Sequence, residues 1–121
     1  MKILYVEDNA ANARLLARYL GMKAGIELIE APTGELGVSL ARSAHPDLVL
    51  MDINLPRMSG VDALGALRED SATAAIPVVA VSADALPDKI RAALARGFDD
   101  YLTKPIDFRR LDAVIERHRR A

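Results

Sequence analysis

The sequence predicts an α/β domain in which helices cover both faces of a doubly wound, five-stranded parallel sheet. Five short apolar segments alternate with five amphipathic helical patterns, the order that produces a parallel sheet. Two segments, Leu48–Met51 and Val78–Val81, are apolar at every position, as is typical of strands buried on both faces. The length of 121 residues fits one domain, and no linker or repeat divides it. We therefore expect a single domain over residues 1–121.

The first half of the chain supplies two strands and two helices before the buried third strand. Ile3–Val6 predicts the first strand, and a helix follows over Asn12–Met22 because apolar residues recur there at helical spacing. Ile26–Ala31 predicts the second strand, which Pro32 ends. A second helix stops before Pro46, whose ring disfavours helix at the preceding residue. Its expected inward stripe is Leu36, Leu40, Ala41 and Ala44.

The second half continues the alternation. A third helix begins at Gly60, and a fourth spans Ala85–Arg96 and ends at Gly97, a typical glycine cap. Tyr101–Thr103 predicts the fifth strand, and Asp107 predicts the N-cap of the last helix. The side chains expected to face the sheet are Val61, Leu64 and Leu67 in the third helix, Leu86, Ile90 and Leu94 in the fourth, and Phe108, Leu111, Val114 and Ile115 in the last.

The composition excludes several classes of protein. No cysteine is present, which excludes disulfides, thiolate metal sites and cysteine nucleophiles. No apolar run approaches the roughly 20 residues that cross a bilayer, and the N-terminus carries neither a signal peptide nor a lipidation signal. Sixteen basic and 17 acidic residues leave a net charge of −1, so no global attraction to nucleic acid or membrane is expected. We expect a cytoplasmic protein.

Polar side chains stand where the predicted strands end. Glu7 and Asp8 follow the first strand, Asp52 the third, Ser82 the fourth and Lys104 the fifth. Doubly wound sheets bind ligands beyond these carboxyl ends, so the five side chains should share one rim. Each pair of carboxylates at about 4 Å repels by roughly 4 kcal/mol at an effective dielectric near 20. A hard cation such as Mg²⁺, together with the lysine, would relieve that repulsion.

Four motifs identify a family resemblance. They are VEDN (Val6–Asn9), MDINLPRMSG (Met51–Gly60), AVSA (Ala80–Ala83) and YLTKPID (Tyr101–Asp107). In this order and spacing, the chain resembles a response-regulator receiver domain from Lys2 to about Arg117. The resemblance implies a flavodoxin-like (βα)5 fold with strand order 2-1-3-4-5, and a role in two-component signal transduction.

The resemblance also implies a role for each residue at the rim. Asp52 would be the phosphoacceptor. The Mg²⁺ (or Mn²⁺) ligands would be Asp8, Asp52 and the backbone carbonyl of Asn54, with Glu7 acting through water. Lys104 would pair with the phosphoryl group. Glu7 departs from the family pattern, in which aspartate is commoner, and the added methylene should change metal affinity modestly.

A conformational switch is implied as well. Ser82, which stands where threonine is commoner, would hydrogen-bond the phosphoryl group and draw the loop Ala83–Pro87 toward it. Tyr101 would then turn inward and change the surface formed by the fourth helix, fifth strand and fifth helix. The Lys104–Pro105 peptide bond would be cis. Asp84 and Asn54 flank the path of an attacking water and should tune the lifetime of the phosphoryl group.

The expected partner is a histidine kinase or a histidine phosphotransfer protein. The donor histidine is not expected in this chain, because His45 and His118 lack neighbouring ligand or base patterns. Acidic residues interleave the arginines of the last helix, which favours a solvated face over a nucleic-acid surface. Those arginines are Arg109, Arg110, Arg117, Arg119 and Arg120. No output domain follows Ala121, so we expect either a single-domain regulator or the receiver of a hybrid sensor kinase.

Three other functions fit part of the pattern. A haloacid-dehalogenase-type phosphatase needs a second aspartate two residues after its nucleophile, and that position is Asn54. A Toprim nucleic-acid domain needs Asp-x-Asp after the third strand and is broken by the same residue. A phosphorylation-independent interaction module normally loses the acids or the lysine, all of which are retained here. We therefore expect a phosphoacceptor that catalyses only its own phosphorylation and dephosphorylation, and no turnover enzyme.

Overall fold

A parallel five-stranded sheet forms the centre of the computed structural model, which describes residues 1–119. The strands are β1 (Lys2–Val6), β2 (Glu27–Ala31), β3 (Leu48–Asp52), β4 (Val78–Ser82) and β5 (Asp100–Thr103). They lie in the order β2-β1-β3-β4-β5, and all neighbouring pairs are parallel. The predicted fold class and strand order are confirmed.

Within residues 1–119, four helices connect the strands and a fifth follows β5, and polar caps begin most of them. The helices are α1 (Ala10–Gly21), α2 (Gly34–Ala44), α3 (Gly60–Glu69), α4 (Pro87–Arg96) and α5 (Phe108–His118). Asn9, Thr33, Ser59 and Asp107 each accept a hydrogen bond from a backbone N–H of the first turn that follows. In the described part of the chain, no helix has both the length and the apolar character that crossing a membrane demands.

Alternation along the strands divides the interior into two cores. Leu4, Val6 and their neighbours on one face pack against α2, α3 and α4. Ile3 and Tyr5 belong to the opposite face, which packs against α1 and α5. Because both faces are covered, a polar side chain on a central strand reaches solvent only where the strand ends. This arrangement places the polar side chains that end or follow the central strands at the carboxyl-end rim of the sheet.

The orientation of α2 differs from the predicted one. Its buried side is formed by Gly34, Gly37, Val38 and Ala41, whereas Leu36 is 41% exposed. A Cβ added to Gly37 would lie 2.7 Å from Cγ2 of Val6. The helix therefore approaches β1 through its smallest residues, and this close packing turns Leu36 outward.

The predicted inward stripe of α4 is also wrong at two positions. Leu86 is 61% and Leu94 42% exposed, whereas Ala93 is buried. The helix begins at Pro87, two residues after the predicted start, and Leu86 is its N-cap. The proline ring disfavours helical backbone at the residue before it, which leaves Leu86 outside the helix.

Candidate phosphoacceptor and metal site

The rim of the sheet brings together side chains from four separate segments. Asp52 ends β3 and lies opposite Val81 in the strand register, and Ser82 ends β4 opposite Thr103. Glu7 and Lys104 directly follow β1 and β5. The backbone N–H of Lys104 donates a 2.8 Å hydrogen bond to the carbonyl of Ser82, so the pairing of the strands continues into the site.

Lys104 joins two buried carboxylates. Its Nζ lies 2.7 Å from Oε1 of Glu7 and 2.9 Å from Oδ2 of Asp52. The Glu7 and Asp52 side chains are only 1% and 4% exposed, whereas that of Lys104 is 20% exposed. One ammonium thus faces two carboxylates that water reaches poorly. When both carboxylates are ionised, the three groups together retain uncompensated negative charge.

A third carboxylate opens this cluster to solvent. Glu7, Asp8 and Asp52 each offer an oxygen, and these oxygens lie within 4.8 Å of one another. Asp8 is exposed, while the other two are buried. Mg²⁺ prefers oxygen ligands and keeps several waters, and Mn²⁺ accepts the same donors. The charge, donor type and partial exposure of the cluster therefore fit a hydrated divalent cation.

The two buried carboxyls have pKa values shifted in opposite directions. Burial raises the pKa of Asp52, and the adjacent Glu7 carboxylate raises it further. Burial also acts to raise the pKa of Glu7, but hydrogen bonds with Lys104, Asp52 and the Asn9 amide outweigh it and hold that pKa below its usual range. Burial opposes the charge of Lys104, yet the two carboxylates raise its pKa overall. Positive charge entering the cluster would therefore favour ionised Asp52.

The turn after β3 holds Asp52 from its main-chain side. The N–H of Asn54 donates a 2.9 Å hydrogen bond to Oδ1 of Asp52. Gly60 donates its N–H to the carbonyl of Ile53 at 3.0 Å, and a Cβ added to Gly60 would lie 2.4 Å from the carbonyl oxygen of Asp52. Only glycine fits there. The sequence indicates Gly60 only as the start of a helix, because its close approach to the Asp52 main chain depends on the tertiary fold.

Ser82 and Tyr101 contact the same residue, Asp84. The N–H of Asp84 donates to Oγ of Ser82 at 3.1 Å, and its carbonyl accepts a 2.7 Å hydrogen bond from the Tyr101 hydroxyl. The side-chain amide of Asn54 also donates to Oγ of Ser82, at 3.4 Å. Both Ser82 and Tyr101 are buried, so the tyrosine ring already lies inward, the position that was expected only after Ser82 moves. A displacement of Ser82 would therefore shift Asp84, whose carbonyl accepts the hydrogen bond from the Tyr101 hydroxyl.

Two further side chains at the site were not foreseen. The Tyr5 hydroxyl donates to Oε1 of Glu7 at 3.0 Å, and the Asn12 side-chain amide donates to the same oxygen at 3.4 Å. Tyr5 lies two residues before Glu7, so both side chains emerge on one face of the chain. A tyrosine at a fully buried strand position was the available signal, since a buried hydroxyl needs a partner.

The remaining predicted residues lie as follows. The Lys104–Pro105 peptide bond is cis. His45 caps the end of α2, and His118 ends α5. Arg117 pairs with Asp100, and Arg119 pairs with Glu116. These two arginines therefore form ion pairs within the chain. Arg120, the last of the predicted basic residues, lies outside the described residues.

The sequence-family model of the response regulator receiver domain matches residues 3–116 of this chain. The chain belongs to the response regulator receiver domain family. It is 40% identical over 121 residues to hybrid signal transduction histidine kinase G of Dictyostelium discoideum, with 98% of this chain and 4% of that protein covered. It is 37% identical to the polar-differentiation response regulator DivK of Brucella ovis, with 96% of this chain and 94% of that protein covered.

A solved structure of the family resembles this receiver domain along nearly its whole length. The receiver domain of sensor histidine kinase PA1611 from Pseudomonas aeruginosa aligns with a TM-score of 0.87 and 30% identity. It covers 97% of this chain and 95% of that one, and its magnesium ion is coordinated in the active-site cleft. The chain is thus a receiver domain of two-component signal transduction, and it spans only a small fraction of the length of the first hybrid-kinase relative.

Proposed function

We propose that this receiver domain accepts a phosphoryl group on Asp52 from a phosphohistidine of a histidine kinase or histidine phosphotransfer protein. The observation that carries the proposal is the placement of Lys104 between Asp52 and Glu7, at 2.9 Å and 2.7 Å. A buried carboxylate with one lysine cation and two neighbouring acids can exchange its ion pair for a phosphoryl group. A purely structural ion pair would have no use for the extra carboxylates.

The transfer follows from the residues at the rim. An Asp52 carboxylate oxygen attacks phosphorus, the P–N bond of the donor breaks, and the leaving imidazole nitrogen takes the electron pair and then a proton from water. The product is a mixed acyl phosphate that water later hydrolyses. Lys104 moves from the carboxylate to a phosphoryl oxygen, and Ser82 donates its hydroxyl to another. Charge on the transferred group is thereby met by donors that are already in place.

The acidic cluster would hold the metal ion. Asp8, Asp52 and the backbone carbonyl of Asn54 would hold Mg²⁺, with Glu7 acting through water, and Mn²⁺ suits the same oxygens. When bound, the ion supplies positive charge that offsets the repulsion among the carboxylates and the phosphoryl oxygens. The magnesium ion in the related PA1611 receiver supports this assignment.

We also propose that phosphorylation acts on the output surface through Asp84. A Ser82 hydroxyl drawn to the phosphoryl group would release the Asp84 N–H, which donates to it at 3.1 Å. Movement of Asp84 would then alter the carbonyl that accepts from Tyr101. The surface formed by α4, β5 and α5 would respond because Tyr101 belongs to β5.

Residues 1–121 would act as one receiver unit that modifies only itself and has no turnover of other substrates. The single sheet and the family match over residues 3–116 support this reading. The relatives include both a full-length regulator and a hybrid kinase, so the unit would act either alone or within a longer kinase.

Incubation with acetyl phosphate and Mg²⁺, followed by intact mass measurement, tests the proposal. One added PO₃H of about 80 Da is expected in the wild type and not in Asp52→Asn. Asp88→Asn is the matched control, because the Asp88 side chain on α4 is 90% exposed and should not affect labelling. Labelling retained in Asp52→Asn would contradict the assignment, and steady release of phosphate from many phosphomonoesters would favour a phosphatase.

A further inference from the structure

We infer that Tyr5 is a positioning residue for the metal site, because its buried hydroxyl orients the Glu7 carboxylate toward the cation. The inference rests on the proposed function, since it assigns Glu7 to the ion's surroundings. Tyr5 itself would touch neither the ion nor the phosphoryl group. It belongs to the face of β1 that packs against α1 and α5, beneath the rim.

The contact between Tyr5 and Glu7 is built into the core. Tyr5 and Glu7 are both buried, and the phenol donates to Oε1 of Glu7 at 3.0 Å. A buried hydroxyl without an acceptor costs free energy, and a buried carboxylate without donors costs more. Each group therefore meets a requirement of the other, and the bond constrains both.

The donors around Glu7 are unevenly divided between its two oxygens. Oε1 receives the Tyr5 hydroxyl, the Lys104 ammonium at 2.7 Å and the Asn12 amide at 3.4 Å. Within residues 1–119, Oε2 accepts one hydrogen bond, from the N–H of Asn9 at 3.3 Å. A carboxylate oxygen has more than one lone-pair site. Oε2 is therefore the oxygen with capacity left for a cation or for a water that the cation holds.

The Glu7 carboxylate needs a hydrogen-bond donor besides Lys104, because Lys104 also contacts Asp52. It already divides its ammonium between Glu7 and Asp52, and in the proposed function it moves to a phosphoryl oxygen. Glutamate also has one more rotatable bond than aspartate, so it gains freedom when a partner leaves. The Tyr5 hydroxyl hangs from a ring that is fixed in the core. It keeps Oε1 in place when Lys104 departs.

Partners that orient metal ligands have a measurable influence on affinity. Tyr5→Phe removes the hydroxyl and retains the ring, and we expect it to raise the Kd for Mg²⁺ by about tenfold, the low end for such partners. Isothermal titration calorimetry measures the Kd for Mg²⁺ alone. Electron paramagnetic resonance spectra measure the binding of Mn²⁺ to the same variants. Tyr19→Phe is the matched control, because the Tyr19 hydroxyl donates to the Asp112 carboxylate at 2.6 Å, away from the cluster. It should leave the Kd within about twofold.

A double-variant cycle distinguishes positioning from general packing. If Tyr5 acts through Glu7, Tyr5→Phe should change the Kd by less than about twofold once Glu7→Ala has removed the acceptor. An equal loss in both backgrounds would overturn the inference. In acetyl phosphate labelling, Tyr5→Phe should raise the Mg²⁺ concentration for half-maximal rate and leave the rate at saturating Mg²⁺ unchanged. A lower saturating rate with an unchanged Mg²⁺ requirement would also overturn it.

Failure of this inference can be told from failure of the proposed function. A wild-type protein that binds no Mg²⁺ and takes up no phosphoryl group would contradict both the proposed function and the role of Tyr5. A wild-type protein that binds Mg²⁺ and is phosphorylated, with an unchanged Kd in Tyr5→Phe, would contradict only the role of Tyr5. Thermal unfolding of every variant shows that the comparison is made between folded proteins, which is expected since Phe occupies the same space.

Discussion

Two clusters of this molecule contain the same three chemical groups in opposite surroundings. At the rim, a Tyr5 hydroxyl and the Lys104 ammonium meet the Glu7 carboxylate at 3.0 and 2.7 Å. Between α1 and α5, the Tyr19 hydroxyl and the Lys23 ammonium meet the Asp112 carboxylate at 2.6 and 3.1 Å. The distances are similar, but the Glu7 side chain is 1% and that of Asp112 39% exposed.

Burial therefore decides what each cluster can do. The α1–α5 cluster also stacks Tyr19 on Phe108, with ring centroids 4.0 Å apart, and places Lys23 over the Tyr19 ring. The charges of Lys23 and Asp112 balance, and water screens them. The cluster therefore links α1 to α5 and adds little to the free energy of unfolding. The rim cluster includes a second buried carboxylate, Asp52, that one lysine cannot neutralise. Its unbalanced negative charge favours the cation of the proposed metal site.

The largest expected effect comes from removing the buried lysine. Lys104→Met leaves two buried carboxylates without their cation and should lower the free energy of unfolding by about 3 kcal/mol in metal-free buffer. The equivalent change at the exposed cluster, Lys23→Met, should lower the free energy of unfolding far less, because water screens that ion pair. Urea unfolding of both variants tests the contrast. Equal losses would mean that burial does not separate the two clusters.

Mg²⁺ should act on one cluster and leave the other unaffected. At about 100 times its Kd, the ion should raise the free energy of unfolding of the wild type by about 2.7 kcal/mol through linkage. Most of that gain should vanish in Asp8→Asn and persist in Lys23→Met. Urea unfolding in Mg²⁺ and in EDTA at matched ionic strength measures it, and a gain retained in Asp8→Asn would remove Asp8 from the metal site.

The two clusters should respond with opposite signs when an acid is neutralised. Burial and Glu7 raise the folded-state pKa of Asp52, so its stabilising contribution is complete below the unfolded pKa and is lost as pH rises through the folded pKa. At neutral pH without metal, Asp52→Asn should therefore raise the free energy of unfolding. The gain should be on the order of 1 kcal/mol, a fraction of the roughly 4 kcal/mol repulsion between close carboxylates.

Asp112→Asn is the counterpart. The Tyr19 hydroxyl lowers the pKa of Asp112, so its contribution is present above the unfolded pKa and is lost as pH falls through the folded one. This variant should be slightly less stable at neutral pH. Urea unfolding from neutral pH down toward the ordinary aspartate pKa of 3.8 should show both differences shrinking from opposite sides. Two losses of the same sign would contradict the comparison.

Much of the rim could be expected from sequence, because the carboxyl ends of parallel strands necessarily share one edge. Asp52 and Ser82 end neighbouring strands, so their proximity follows from the topology once the strands are recognised. The sign of a pKa shift could not be expected in the same way. Glu7 and Asp52 are both buried acids beside Lys104, and their hydrogen bond to each other lowers the pKa of Glu7 while it raises that of Asp52.

The sequence by itself determined the order of elements, the buried strands and the polar residues that end them, because apolar periodicity and turn chemistry report relations within a few residues. Tertiary packing decided the rest. Gly37 against Val6 turned Leu36 outward, and the order of the strands in the sheet brought Lys104 to the carboxylate that Tyr5 already contacts. Contacts between elements depend on helix rotation and close approach, which no single segment encodes.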